Sequence, residues 1–113
     1  MLVAMTPDLL ASLRLRFIER CRSELRTLCQ MRDDWLHEAN GTDDRFVRTV
    51  HGLAGAGATF GFPEVSRQAS DLETLLLEND SPEADRRRAL DLLIATLESL
   101  TGPEAQRGTS PDR

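Results

Sequence analysis

His51 stands in the run Phe46-Val-Arg-Thr-Val-His-Gly-Leu-Ala-Gly-Ala-Gly-Ala-Thr-Phe-Gly61, with glycines at 52, 55 and 57 beside it. An imidazole of ordinary pKa, near about 6.5, supplies a neutral nucleophilic nitrogen at neutral pH. Such a nitrogen can accept a phosphoryl group in line and surrender it again, helped chiefly by positioning and charge neutralisation. The glycines sharpen this reading. Each glycine inside a helix costs about 0.8–1.0 kcal/mol relative to alanine. Three cost roughly 2.5–3 kcal/mol, against a typical total stability of about 5–15 kcal/mol. A bulky partner that must approach the imidazole over a surface stripped of side chains accounts for that loss most economically.

The histidine needs a helix to hold it, and helical periodicity dominates the chain. Thr6-Pro7-Asp8 is a start signal: a capping hydroxyl, proline at the first helical position, then an acid at the positive end of the dipole. Leu10, Leu13, Phe17, Cys21, Leu25, Leu28 and Trp35 then recur mostly three and four apart, the stripe of one long helix. A break near 30–33, leaving a shorter N-terminal helix, is the alternative for this segment. Asn40-Gly41 closes it, and Thr42-Asp43-Asp44 opens a second helix with Phe46, Val50, Leu53 and Gly57 on one face. That helix stops at Gly61, before Pro63. A third carries Val65, Ala69, Leu72 and Leu76 inward and closes at Asn79-Asp80. Ser81-Pro82-Glu83 opens the fourth, with the stripe Leu90, Leu93, Ile94, Leu97 and Leu100.

Four amphipathic helices with short connections predict an all-α, antiparallel up-down four-helix bundle over residues 1–100. The tail, residues 101–113, is rich in Gly, Pro and polar residues and is expected to be disordered. On a helical wheel, Phe46, Val50, Leu53, Gly57 and Phe60 fall within about 80° of one another. His51 lies roughly 140° from their centre and should face solvent. Asp44, Arg48, Gly55 and Ala58 share its outward face, with Val47 and Ala54 at the flank. Gly55, one turn on, removes the side chain that would crowd the ring. Gly57 points inward, where close helix packing explains it, and Gly52 has no evident assignment. The second histidine, His37, sits near a helix end beside Glu38 and reads as surface.

The remaining composition excludes other chemistries. The net charge of −5 and pI near 5.0 argue against nucleic acid as a partner. All 14 basic residues are arginine, which rules out any mechanism that needs a lysine amine. Cys21 and Cys29 would sit about 12 Å apart along one helix, beyond disulfide reach, and read as apolar residues in a reducing compartment. There is no signal-peptide pattern and no run of membrane-spanning length, so the expectation is a soluble cytoplasmic monomer. No ligand cluster suggests a metal site.

The run His51-Gly-Leu53-Ala-Gly55, with Gly61 closing the helix and Ala69, Leu72 and Glu73 on the next, resembles the histidine phosphotransfer (HPt) domain. The family pattern is His-x-Leu-Lys-Gly, then five residues and a glycine. The likeness covers roughly residues 7–100, with the specific motif in 46–73. It implies a phosphocarrier, not an ATP-using enzyme, that relays phosphate between aspartates of response-regulator receiver domains, fed by a hybrid sensor kinase. His51 would carry the phosphoryl group and Glu73 would hydrogen-bond its ring. Gly55 would admit a receiver docking over Val47, Arg48, Ala54 and Ala58. Mg²⁺ would come from the receiver, with no cofactor bound here. The family lysine is replaced by Ala54, and Arg48 or Arg67 would have to take over its charge.

Three other readings compete. Gly52-Leu-Ala-Gly-Ala-Gly57-Ala58-Thr59 approaches the P-loop pattern but lacks its lysine and any strand to mount it. A sensor-kinase dimerisation helix would follow its histidine with Glu, whereas Gly52 follows here. The substantial alternative is a receiver-binding adaptor whose transfer is weakened or lost, favoured by Ala54.

Overall fold

The computed structural model describes residues 7–38, 44–78 and 80–109, with side chains described for 7–35, 44–78 and 80–102. Helix α1 spans Pro7–Glu38, α2 Asp44–Phe60, α3 Pro63–Leu77 and α4 Glu83–Thr109. Among the described residues each helix touches its chain neighbours, and α4 closes the ring onto α1. This is the expected four-helix bundle.

Phe17 of α1 packs on Phe60 and Phe62 at the far end of α2, while Trp35 meets Phe46 at its start, edge to face at 6.1 Å. The two helices therefore run antiparallel. The core gathers Phe17, Cys21, Leu28, Met31 and Trp35 with Phe46, Val50, Leu53, Val65, Ala69, Leu72, Leu76, Leu90, Leu93, Ile94 and Leu97. Every inward position anticipated for α2 and α3 is buried, Phe60 excepted, which is partly exposed.

Three expectations change. First, α1 runs unbroken through 30–33. No glycine or proline interrupts it there, Met31 and Trp35 stay in the core, and Arg32 bridges to Asp91 of α4 at 2.9 Å. Second, Leu10 leaves the core stripe and is 40% exposed. Phe17 already meets the α2–α3 turn, so Leu10, two turns earlier, lies beyond the reach of those helices. Third, the folded body passes residue 100: Thr101 and Gly102 are buried, and the Thr101 hydroxyl donates to the Leu97 carbonyl at 3.0 Å. Gly102 then leaves helical geometry at φ +62°. Residues 110–113 of the expected tail lie outside the described residues. So do Thr6, Asn40, Gly41, Thr42, Asp43, Asn79 and the side chain of His37.

The α2–α3 turn positions the two helices that carry the site. Gly61 takes φ +85°, a left-handed conformation that glycine adopts without a Cβ penalty. That lets the Phe62 N–H reach back to the Gly57 carbonyl at 2.8 Å, the long bond of a Schellman ending. Pro63 then begins α3, whose Ser66 N–H bonds the Phe62 carbonyl at 3.1 Å. At the other end of α3, Ser81 turns its hydroxyl back, donating to the Leu75 carbonyl at 2.7 Å. The backbone of Pro82 starts α4 by accepting from Asp85 and Arg86.

Candidate functional site

The close α2–α3 crossing begins at Gly57. A Cβ there would stand 2.9 Å from the Ser66 nitrogen and 3.1 Å from the Phe62 oxygen. Those are backbone atoms, so the first turn of α3 can lie on α2 only where α2 has no side chain. Antiparallel helices pinned at 57 and 66 bring residues near 51 and 73 face to face. That is where the histidine and the glutamate meet: Nδ1 of His51 lies 2.8 Å from Oε2 of Glu73.

The His51 side chain is 74% exposed and Glu73 only 20%. The carboxylate is set into the flank of the bundle, and the ring stands on it in solvent. A carboxylate oxygen only accepts, so Nδ1 carries the hydrogen of this bond. In the neutral ring the lone pair is then on Nε2, directed away from Glu73. The pair thus orients a nucleophilic nitrogen outward and holds its tautomer.

Gly55 completes the clearing. A Cβ on it would meet no heavy atom within 4 Å. Among the described residues nothing requires glycine at this position, in contrast to Gly57. Ala58, a turn further on, is exposed, whereas Val47 and Ala54 are half-buried and pack against the core cluster.

The anticipated cations divide. Arg48 is exposed on α2, three residues before His51. Arg67 is held by Glu64, Nη2 to Oε2 2.8 Å, and is itself 63% exposed. It lies six residues before Glu73, about 9 Å along α3 and on another face of that helix, so the fold does not bring it to the ring. Gln68, the weaker candidate on α3, is buried at 5% exposure with its Nε2 on Glu64 at 2.9 Å. A further cation was not anticipated: Arg20 of α1 reaches α2, its Nη2 lying 2.8 Å from where a Gly52 Cβ would stand. Its place between the core residues Phe17 and Cys21 marks it as a flank residue, and only the helix pairing says what that flank meets.

Among the described residues no group of three or more His, Cys, Asp or Glu side chains could hold a metal ion. Likewise no described helix is long and apolar enough to cross a membrane. A family model described as "Hpt domain" matches residues 3–102. No curated protein and no solved structure matches the chain.

Proposed function

This chain belongs to the Hpt domain family, the histidine phosphotransfer domains of two-component systems, and from that we propose that it relays phosphate as Asp to His to Asp between receiver domains, with His51 as the carrier. One observation carries this reading: an exposed imidazole whose Nδ1 is tied to Glu73 at 2.8 Å, leaving Nε2 directed to solvent beside an open glycine.

In the forward step, the Nε2 lone pair attacks phosphorus of a receiver's aspartyl phosphate. The N–P bond forms, the P–O bond breaks, and the aspartate carboxylate leaves with its electrons. Nδ1 keeps its proton, and Glu73 balances the positive charge that develops on the ring. Delivery to a second receiver is the reverse. Catalysis is left to positioning and to charge supplied by both partners, with Mg²⁺ held in the receiver's acidic pocket. A cytoplasmic monomer serving a hybrid sensor kinase and its regulators suits this role.

Ala54 supports a second reading, an adaptor that occupies a receiver with little transfer. Incubation with a phosphorylated receiver and Mg²⁺ separates the two. The carrier takes up an acid-labile, base-stable label that a His51→Gln variant loses. Label that persists in that variant refutes the assignment, and binding without label establishes the adaptor.

A further inference from the structure

Gly57 is explained by packing and Gly55 by exposure, which leaves Gly52. A Cβ on it would come within 2.8 Å of Arg20 Nη2. The obstacle is the far end of a flexible side chain, so the fold would tolerate a larger residue by moving the guanidinium aside. What glycine secures is the guanidinium's place on α2, over the residue that follows His51 and about 100° round the helix from it. On the helical projection Gly52 and Arg48 lie on the side of His51 away from Val47 and Ala54. Arg20 makes an ion pair with Glu24 through Nε, at 3.5 Å, and its side chain is 44% exposed. The Nη2 end is therefore directed to α2, on a side chain that stays partly exposed.

Charge decides what this placement does. A phosphoryl group adds about −1.5 to −2 charges to a ring already 2.8 Å from the Glu73 carboxylate. On Nε2 that group stands across the ring from the carboxylate, and the single positive charge of the ring offsets only part of the two anions together, so a further cation stabilises it. Ala54 supplies none, and Arg67 is bound to Glu64 on another face of α3.

We infer, resting on the carrier reading above, that Arg20 is the phosphoryl-binding residue of this site. It reaches from α1 across Gly52 to neutralise the group held on Nε2 of His51. A planar guanidinium suits this task, because it meets phosphoryl oxygens with two parallel N–H donors. Arg20 transfers no proton, and the bonds made and broken remain those of the step above.

The test needs no cognate partner. Potassium phosphoramidate passes its phosphoryl group to an accessible imidazole: the N–P bond to His51 forms, the reagent's own P–N bond breaks, and ammonia leaves. The full chain is labelled this way and followed by ³¹P NMR and mass spectrometry across a range of ionic strength. Wild type is expected to label at Nε2 of His51, more slowly as salt rises. Arg20→Gln should label about fivefold more slowly, the upper end for a partly exposed ion pair, and lose most of the salt dependence. Arg20→Lys should be intermediate. Gly52→Val, which displaces the guanidinium, should match Arg20→Gln and add nothing to it in the double variant, with helicity unchanged by circular dichroism. A wild-type rate and salt profile in Arg20→Gln, or the same loss produced instead by Arg48→Gln, overturns the role of Arg20 and leaves His51 as nucleophile intact. Wild type that takes no label at His51 removes the carrier reading and this inference with it.

Discussion

Alanine at position 55 should make this protein more stable, and alanine at position 57 should make it less so. Both glycines lie inside α2, so each substitution regains about 0.8–1.0 kcal/mol of helix propensity. At Gly55 nothing opposes the gain, because the added Cβ meets no atom within 4 Å. For a domain of this size that raises the melting temperature by about 4 °C. At Gly57 the added carbon meets the backbone of Ser66 at 2.9 Å and of Phe62 at 3.1 Å. Overpacking of this kind costs about 1–3 kcal/mol, which exceeds the propensity gain over most of its range, so the melting temperature falls. Thermal unfolding followed at 222 nm measures both. Gly55→Leu tests the clearance itself. It should remain fully helical yet receive phosphate from a charged receiver more slowly, because a leucine stands where the receiver must approach the ring. A destabilised Gly55→Ala variant would mean that the fold itself demands this glycine. Transfer into Gly55→Leu at the wild-type rate would mean that no partner needs the clearance. Either result refutes the reasoning.

Three further outcomes are expected. Glu73→Ala frees Nδ1 of His51, so ¹⁵N NMR of the ring should change from a single tautomer with the hydrogen on Nδ1 to a mixture, and labelling should slow; an unchanged spectrum would show that the 2.8 Å contact does not hold the tautomer. The cysteines should differ in alkylation: burial pushes the Cys21 thiol up to about 11 and raises Cys29 to a lesser degree, at a half-buried position. The thiolate is the reactive form, so at pH 8 Cys29 is modified first while Cys21 stays protected. Because the folded state holds the Cys21 proton above the ordinary thiol pKa, stability present below about pH 9 should decline as pH rises toward 11. Equal modification of both thiols would contradict the burial.

How much of this was legible in the amino-acid order follows from the range of each interaction. Periodicity is local, so the four helices, the inward stripes of α2 and α3, and the outward direction of His51 could all be read directly. The motif around His51 likewise carried the likeness to a phosphotransfer domain, including Glu73 as its neighbour. A break near 30–33 was the alternative for α1, yet the helix continues there because it holds no glycine or proline and carries the core residues Leu28, Met31 and Trp35.

The residue order by itself determined which surfaces are apolar, where helices start and stop, and which nitrogen-bearing side chain stands in solvent. These depend on neighbours three or four positions away. The inward turn of Gly57 and the outward turn of Gly55 were readable, but tertiary structure alone decided which atoms meet them: the α3 backbone at 57, none within 4 Å at 55, and the Arg20 guanidinium at 52. It also decided that Arg67 pairs with Glu64 while Arg20, far upstream in the chain, reaches α2 at Gly52, the residue after His51. Such contacts arise from how deeply and in what register two helices cross, and that depends on the summed shapes of both surfaces, which no local pattern encodes.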